Sequence, residues 1–248
     1  MRDYLTFQLY GPLAAWGEQA VGQERDASPQ PSRSALLGLV AAALGLRREQ
    51  AAEQEQLVQS LGVGIRLCSR GHGLRDFHTA QNAKSTARAR HLHTRRDVLA
   101  HDNIGTVISY RAYRQESAAI VALWLLPSVS DYDLEPIVKA LQMPMFNLYL
   151  GRKSCPLALP LSAKITAADD LRSALDLHYK SLQSDERLPA ALLKLFQGPS
   201  SYYWDKTDEP GMQASFQQRR YDQPLNRVRW QFAERQEFVF LGDSEEAS

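Results

Sequence analysis

Lysine and arginine are concentrated in one stretch of the chain, from Lys84 to Arg114. This stretch carries seven Lys or Arg residues, three His and two acids, although the 248-residue chain has a formal net charge of only +1. Clustered cations most often bind phosphate groups, so the pattern predicts a phosphate-binding surface, and the alternative is a solvated loop with ordinary surface charge. The cations of this stretch that we assign to the surface are Lys84, Arg88, Arg90, Arg95, Arg96 and Arg111.

Aromatic residues alternate with cations at the end of this stretch, where residues 110–114 read Tyr-Arg-Ala-Tyr-Arg. RNA recognition combines cations that bind phosphates with aromatic or guanidinium planes that stack on unpaired bases. On a strand, Arg111 and Tyr113 would share one face, while Tyr110 and Arg114 would share the other. The sequence therefore predicts RNA binding, with Tyr110 as a base-stacking residue.

Further candidate contacts lie at two places outside the basic stretch. Arg33 and Ser34 stand at the start of a predicted helix, where the helix N-terminus would also attract phosphate. Gly151 precedes two cations and a hydroxyl, and a glycine allows the backbone to approach a ligand closely. On these grounds we add Arg33, Ser34, Arg152, Lys153 and Ser154 to the RNA-binding set. We also add Arg25, which lies in the irregular segment 13–31.

Catalytic and metal sites have weaker support in the sequence. It contains no GxSxG, HExxH, Walker or strand-associated GxGxxG motif. His91 and His93 could bind a metal, but the neighbouring arginines would repel a dication, so we expect no metal and no cofactor. A metal-independent ribonuclease could use His78 as general base, with Lys84 or Arg111 stabilising the transition-state charge. The alternative is that His78 packs at a strand edge, and we assign no catalytic residue.

The amino-acid composition limits the classes of protein to which this chain can belong. An apolar content of 44% suffices for a full core, with one domain and a smaller annex. Cys68 and Cys155 are too few and too far apart for a disulfide framework. The N-terminus lacks the pattern of a signal peptide, and no stretch approaches the length of a membrane span. We therefore expect a cytoplasmic protein.

The order of the predicted elements indicates the fold class. Alternation and apolar runs predict strands at 2–10, 62–68, 104–113, 118–126, 163–166 and 237–241. Capping residues and periodicity predict a first helix that begins after a cap at Ser32 or Ser34 and ends near Gly45. They also predict helices at 49–60, 131–141, 168–177 and 189–196. This order is typical of an α+β, ferredoxin-like (RRM-like) palm with an inserted basic thumb hairpin at about 79–110. We assign residues 1–161 to this domain and 162–248 to a small C-terminal region packed on it.

Five blocks of sequence, in order, resemble the CasD family, a subunit of Cascade, the RNA-guided surveillance complex of type I-E CRISPR systems. They are 11–17 (GPLAAWG), 31–39 (PSRSALLGL), 73–79 (GLRDFHT), 121–124 (VALW) and 149–157 (YLGRKSCPL). The resemblance covers about residues 1–161, and it is poor between Thr79 and Thr106, where this thumb is longer and more basic. From Ser162 onward we find no distinctive match.

The resemblance implies a palm with a thumb hairpin that grips the 5′ handle of the guide RNA and caps the backbone of the complex. It also implies a non-catalytic role, with a Cascade backbone subunit and the large subunit as protein partners. Relatives in another subtype cut repeat RNA, so a metal-independent endoribonuclease remains the alternative. His78 matches a family histidine that need not be catalytic. By position, the handle contacts are Arg33, Ser34, Arg111, Arg152 and Lys153.

Apolar residues in the thumb and the C-terminal region are candidates for the protein interfaces. The alternative is that they belong to the core, as we expect for Trp16 in the first loop. The candidates are Leu92, Val98, Leu99, Trp204, Phe216, Trp230 and Phe232.

Overall fold

The computed structural model describes residues 1–18, 20, 22–84, 93–100, 103–127, 133–186, 188–198, 200–205 and 207–242. Their elements follow the order β1 (Arg2–Ala14), β2 (Trp16–Gly17), β3 (Glu24–Arg25), β4 (Ala27–Ser28), α1 (Arg33–Leu44), α2 (Ala51–Ser60), β5 (Leu61–Ser69), β6 (His72–Ala83), α3 (Arg95–Leu99), β7 (Ile104–Leu125), α4 (Leu134–Gln142), β8 (Lys164–Ala168), α5 (Leu171–Gln183), α6 (Ala190–Leu195), β9 (Ser201–Trp204), β10 (Phe216–Asn226) and β11 (Gln231–Leu241).

One large sheet organises this mixed α/β fold. Its strands lie in the order β10-β11-β9-β5-β7-β1-β8, and β3 and β6 also pair with β7. Every pairing is antiparallel except the short parallel contact between β3 and β7. Strands from both sides of residue 161 therefore share one sheet, with β8 at one edge and β9–β11 extending the other side.

Local sequence signals define the first long helix. The Ser32 hydroxyl accepts a hydrogen bond from the Ala35 amide at 3.2 Å, and Gly45 ends the helix with a φ of 78°. A serine cap and a left-handed glycine are the residue types that helix termini favour. The predicted start and end of α1 are confirmed. In the same way, the Asp133 carboxylate caps α4 by accepting from the Glu135 amide at 3.2 Å.

Strand β7 is longer than the sequence indicates, and the prediction of two separate strands is wrong. The chain stays extended through Glu116, whose φ of 56° marks a local irregularity within one 22-residue strand. The first half of β7 pairs along its length with β6, from His72↔Gln115 to Ala83↔Ile104, and it also pairs briefly with β3. Pairing with β1 begins at Ala14↔Arg114 and Leu13↔Gln115. We call the paired segments 72–83 and 104–115, with the described part of 84–103, the thumb hairpin. It begins earlier than the predicted residue 79.

Both faces of the central strands are covered. On one face Leu5, Phe7 and Leu9 of β1 pack in a core with α1, α2 and α4. On the other face Tyr4 and Trp124 pack in a second core with residues of α5 and β9. Within the described ranges, the central strands therefore offer no open face to a ligand. No helix in the described ranges is long and apolar enough to cross a membrane.

Candidate nucleic-acid interface

The outer end of the thumb hairpin presents cations to solvent. Lys84, Arg95 and Arg96 are exposed, and among the described residues none of the three forms an ion pair. Arg95 and Arg96 open α3, where Thr94 and Asp97 form a reciprocal capping box. Arg95 also donates from Nη1 to the Gln81 carbonyl at 2.5 Å, which fixes α3 against β6. Arg88 and Arg90, also predicted here, lie outside the described residues.

One face of the thumb hairpin carries an aromatic and cationic cluster. The rings of Phe77 and Tyr110 are paired across the strands at a centroid distance of 5.4 Å. The Arg75 guanidinium lies 4.2 Å from the Tyr110 ring centroid and 2.7 Å from a Glu24 carboxylate oxygen. Phe77 is 56% exposed, so a ring surface faces solvent. Sequence reasoning missed Arg75 and Phe77 because it did not predict β6, although both lie in the block 73–79.

The opposite face of the hairpin combines Asp76, His78 and Arg111. Asp76 and Arg111 are directly opposite in the register, and His78 Nε2 lies 2.5 Å from Asp76 Oδ2. Arg111 is half-buried, and its side chain makes no hydrogen bond or ion pair within the described part of the chain. An unpaired guanidinium on a hairpin is available to a phosphate or a base edge.

Arg152 joins the turn at Gly151, which we call the glycine turn, to the base of the thumb hairpin. Its Nη1 donates to the Ala112 carbonyl at 3.1 Å and its Nη2 to the Arg25 carbonyl at 3.5 Å, while the guanidinium stands 4.7 Å from the Tyr113 ring centroid. Gly151 allows this approach, because its φ is 86° and an added Cβ would stand 1.9 Å from the Ala15 carbonyl oxygen. Arg152 therefore holds the hairpin in place.

The remaining residues of the glycine turn and first loop differ in accessibility. Lys153 and Ser154 are exposed beside Arg152. Arg25 is half-buried, and its Nη1 donates to the Gly22 and Glu24 carbonyls at 2.6 and 2.9 Å. These bonds fold the Arg25 guanidinium back onto its own loop.

Arg33 is a buried structural residue, in contrast to the accessible phosphate ligand that the sequence suggested. It is 4% exposed, forms an ion pair with Asp205, and donates from Nη2 to the Val58 and Leu61 carbonyls, both at 2.8 Å. The Arg33 amide at the helix start donates to Asp222 at 2.7 Å, so a carboxylate already occupies that end of α1. The partners lie too far away in the sequence to be recognised there.

The apolar residues that the sequence suggested for protein interfaces separate into a buried group and a more accessible group. Trp204 is 4% exposed and Trp16 is 3% exposed, so both belong to the core, which corrects the assignment of Trp204 and confirms the expectation for Trp16. The more accessible group comprises Val98, Leu99, Phe216, Trp230 and Phe232. Leu92 lies outside the described residues.

A groove of about 830 Å³ lies beside α1. Its walls come from α1, from residues 146–152 and from the β10–β11 hairpin, and we call it the α1 groove. Ser34 lines it, half-buried, with its hydroxyl 3.1 Å from that of Ser32. Among the described residues, no three His, Cys, Asp or Glu side chains are close enough together to hold a metal ion.

Comparison with known proteins finds a matching family model and one relative that covers most of this chain. Residues 4–237 match the model of a family described as CRISPR-associated protein (Cas_Cas5). The CRISPR system Cascade subunit CasD of Escherichia coli (strain K12) is 35% identical over 193 residues, which cover 75% of this chain and 80% of that protein.

Two solved structures share the fold. One, described as a CRISPR RNA-guided surveillance complex, superposes with a TM-score of 0.64 at 22% identity and covers 96% of this chain and 90% of the other. The second, described as a Cas protein, gives a TM-score of 0.57 at 23% identity and covers 98% and 96%. At 22% and 23% identity, this likeness shows a shared fold and nothing more.

Proposed function

The chain belongs to the Cas_Cas5 family of CRISPR-associated proteins, and from this premise we propose that it is a non-catalytic subunit of a type I-E surveillance complex. In this role it binds the 5′ handle of the guide RNA and caps one end of the backbone in the cytoplasm. Its protein partners are the backbone subunit and the large subunit. The likeness to the CasD subunit of Escherichia coli over most of both chains supports the assignment.

The observation that carries the proposal is the thumb hairpin. It pairs with the rest of the sheet only through β7, and it exposes Lys84, Arg95 and Arg96 at its end. Phe77 and Tyr110 add ring surfaces, and Arg111 adds a guanidinium that makes no hydrogen bond or ion pair with any residue in the described ranges. Cations and aromatic planes on one projecting element are what single-stranded RNA recognition requires.

The sheet order supports a ferredoxin-like palm. Strands β8, β1, β7 and β5 are adjacent and antiparallel, and the connections through α1–α2 and α4 pack in one core on the same face. This is the order of a split βαβ unit. The thumb hairpin is then an insertion between the second and third palm strands. In this proposal the palm ends with β8, slightly beyond the division at residue 161, and the C-terminal region packs on it.

Arg111 provides the sharpest single-residue prediction. Arg111→Ala should weaken binding of handle RNA by about 1–3 kcal/mol, because it removes a charge-assisted contact without removing an internal one. Fluorescence anisotropy with labelled handle RNA measures this change. Arg2→Ala is the matched control, since it removes the same charge at the far end of β1. Unchanged affinity in Arg111→Ala would remove this residue from the interface.

The whole proposal is tested by co-expressing the chain with its neighbouring CRISPR subunits and array. The 5′ ends of the copurifying RNA are then sequenced. We expect guide-length RNA with one common 5′ handle, formed only when the separate processing subunit is present. Correct ends without that subunit would make this chain the nuclease. Absence of guide RNA would contradict the proposal.

The contact between Asp76 and His78 favours the second candidate, a metal-independent endoribonuclease acting on CRISPR repeat RNA. A carboxylate 2.5 Å from His78 Nε2 would orient the imidazole towards a reacting group. In that case His78→Ala abolishes cleavage of repeat RNA while binding is retained. A wild-type chain that leaves repeat RNA intact in a denaturing gel eliminates this candidate.

A further inference from the structure

The C-terminal β10–β11 hairpin contacts α1 through Arg227, which has no counterion among the described residues. Arg227 donates from Nη2 to the Ser34 carbonyl at 2.7 Å, and its guanidinium lies flat on α1, 3.4 Å from where a Cβ at Gly38 would stand. Its Nε is buried without a hydrogen-bond partner, and no ion pair of Arg227 occurs in the described ranges. Burying a guanidinium without a counterion is costly, so a negative group beside Arg227 would stabilise its charge.

A second cation, Arg48, reaches the same hairpin from the segment after α1. Its guanidinium lies 4.4 Å from the Trp230 ring centroid, and no carboxylate pairs with it in the described part of the chain. Burial, together with the charge of Arg48, lowers the pKa of Arg227. Two neighbouring arginines that repel each other would both be stabilised by one anion between them.

The acids of the α1 groove do not neutralise these arginines. Glu18 pairs with Arg220 at 2.8 Å, and Asp222 pairs with Arg235 at 2.6 Å. The charge of Arg48 and Arg227 therefore remains available, and the groove attracts a negative ligand.

Aromatic rings line the same groove. Trp230 is 55% exposed, Phe146 is 40% exposed and Tyr149 is 37% exposed. Trp230 holds a φ of 52°, an unusual backbone conformation for a bulky residue. Rings beside unpaired arginines fit a ligand that has both a flat base and a phosphate.

We propose that the β10–β11 hairpin and α1 form a nucleotide site, in which Arg48 and Arg227 bind a phosphate of the guide RNA and Trp230 stacks on a base. This inference rests on the proposed function, and it gives the C-terminal region a direct part in holding the RNA. Continuity supports an RNA occupant, because Arg152 both lines the α1 groove and anchors the thumb hairpin. The groove and the thumb hairpin therefore meet at Arg152. An acidic protein segment would use the arginines but not the stacking rings.

The test compares four single variants of the full chain in binding to handle RNA across a range of salt concentrations. Arg48→Ala and Arg227→Gln should each weaken binding about tenfold to a hundredfold and lower the salt dependence by about one phosphate contact. Trp230→Asn, which suits the left-handed backbone, should weaken binding about fivefold to a hundredfold with an unchanged salt dependence. Arg229→Ala is the control, because it removes an exposed cation from the same hairpin outside the groove.

Photocrosslinking from 4-thiouridine placed along the handle adds a second measurement, with an expected crosslink in the peptide that contains Trp230. If Arg48→Ala and Trp230→Asn bind like Arg229→Ala while Arg111→Ala binds weakly, the nucleotide site is overturned and the proposed function is retained. Retained RNA with loss of a copurifying protein subunit would make the groove a protein interface, and also overturns the site. A wild-type chain without affinity for handle RNA overturns the proposed function itself.

Discussion

The Arg33 side chain compensates buried negative charge rather than facing solvent. Asp205 accepts from Arg33, from Arg235 Nη1 at 3.0 Å and from the Val63 amide at 3.0 Å. Burial raises the pKa of Asp205, and the two arginines oppose that shift. Arg33→Met should therefore destabilise the protein by about 3–5 kcal/mol, because it leaves part of a buried charge uncompensated. Urea denaturation measures the loss.

The same measurement separates the buried Arg33 from the half-buried Arg111. Arg111→Ala should change the free energy of unfolding by less than about 0.5 kcal/mol, since its side chain has no hydrogen-bond or ion-pair partner in the part of the chain that the structure describes. If the Arg33→Met variant were as stable as the Arg111→Ala variant, the ion pair with Asp205 would contribute no net stability.

His178 gives the protein a defined acid sensitivity. It is 2% exposed, its Nδ1 lies 2.9 Å from Thr6 Oγ1, and burial, with Lys164 nearby, lowers its pKa to about 4. An unfolded chain, with a histidine pKa near 6.5, binds this proton first as pH falls. Stability is therefore full above about pH 6.5 and falls by up to roughly 3 kcal/mol as pH drops to 4.

Comparison with His178→Gln isolates this titration from that of the carboxylates. The free energy of unfolding of the wild type should fall more than that of the variant between pH 7 and pH 4.5. Parallel pH profiles of the two proteins would mean that His178 already binds its proton in the folded state.

At the scale of elements, β5 and β7 pack closely because Gly62 has no side chain. Gly62 pairs with Trp124, and an added Cβ would stand 2.1 Å from Cε2 of that buried indole. Gly62→Ala should destabilise the protein by about 1–3 kcal/mol, since the ring must move within a packed core. Thermal unfolding measures the effect. Gly73→Ala on β6 is the control, because its Cβ would meet no atom within 4 Å, and equal losses would contradict the packing argument.

The elements that the sequence predicted correctly are those with local signals. Ser32 and Gly45 delimit α1 by capping chemistry, and alternation identifies β1 because its two faces enter different cores. The exposed cations Lys84, Arg95 and Arg96 were recognised from charge alone. Each of these features depends on residues within a few positions of one another.

The features that the sequence missed depend on distant residues. β6 is exposed along most of its length, so it lacks the apolar alternation of a half-buried strand. The continuity of β7 depends on an irregularity at Glu116 that hydrophobic patterning does not register. Arg33 resembled a ligand because its partner Asp205 is 172 residues away. A single sequence carries no direct signal for such pairings.

At the scale of the whole molecule, charged side chains as well as sheet pairing hold the C-terminal strands to the rest of the chain. Arg235 on β11 contacts Asp205, Asp222 and Glu237 at distances of 2.6–3.0 Å. Asp205 and Asp222 also bind the side chain and the amide of Arg33 at the start of α1. The network links β9, β10 and β11 to α1, so these parts should unfold together.

A chain that ends at residue 161 tests this coupling. It would lack β8, the edge partner of β1, and it would lack α5, so Tyr4 and Trp124 would lose the residues that cover them. Because apolar surface of this kind is stable only when buried, we expect no cooperative unfolding transition by circular dichroism and strong binding of a hydrophobic dye. A chain ending at Gly242 should keep the wild-type transition. If the shorter chain also unfolded cooperatively, residues 1–161 would be an independent domain, and the charge network would serve only to dock the C-terminal region.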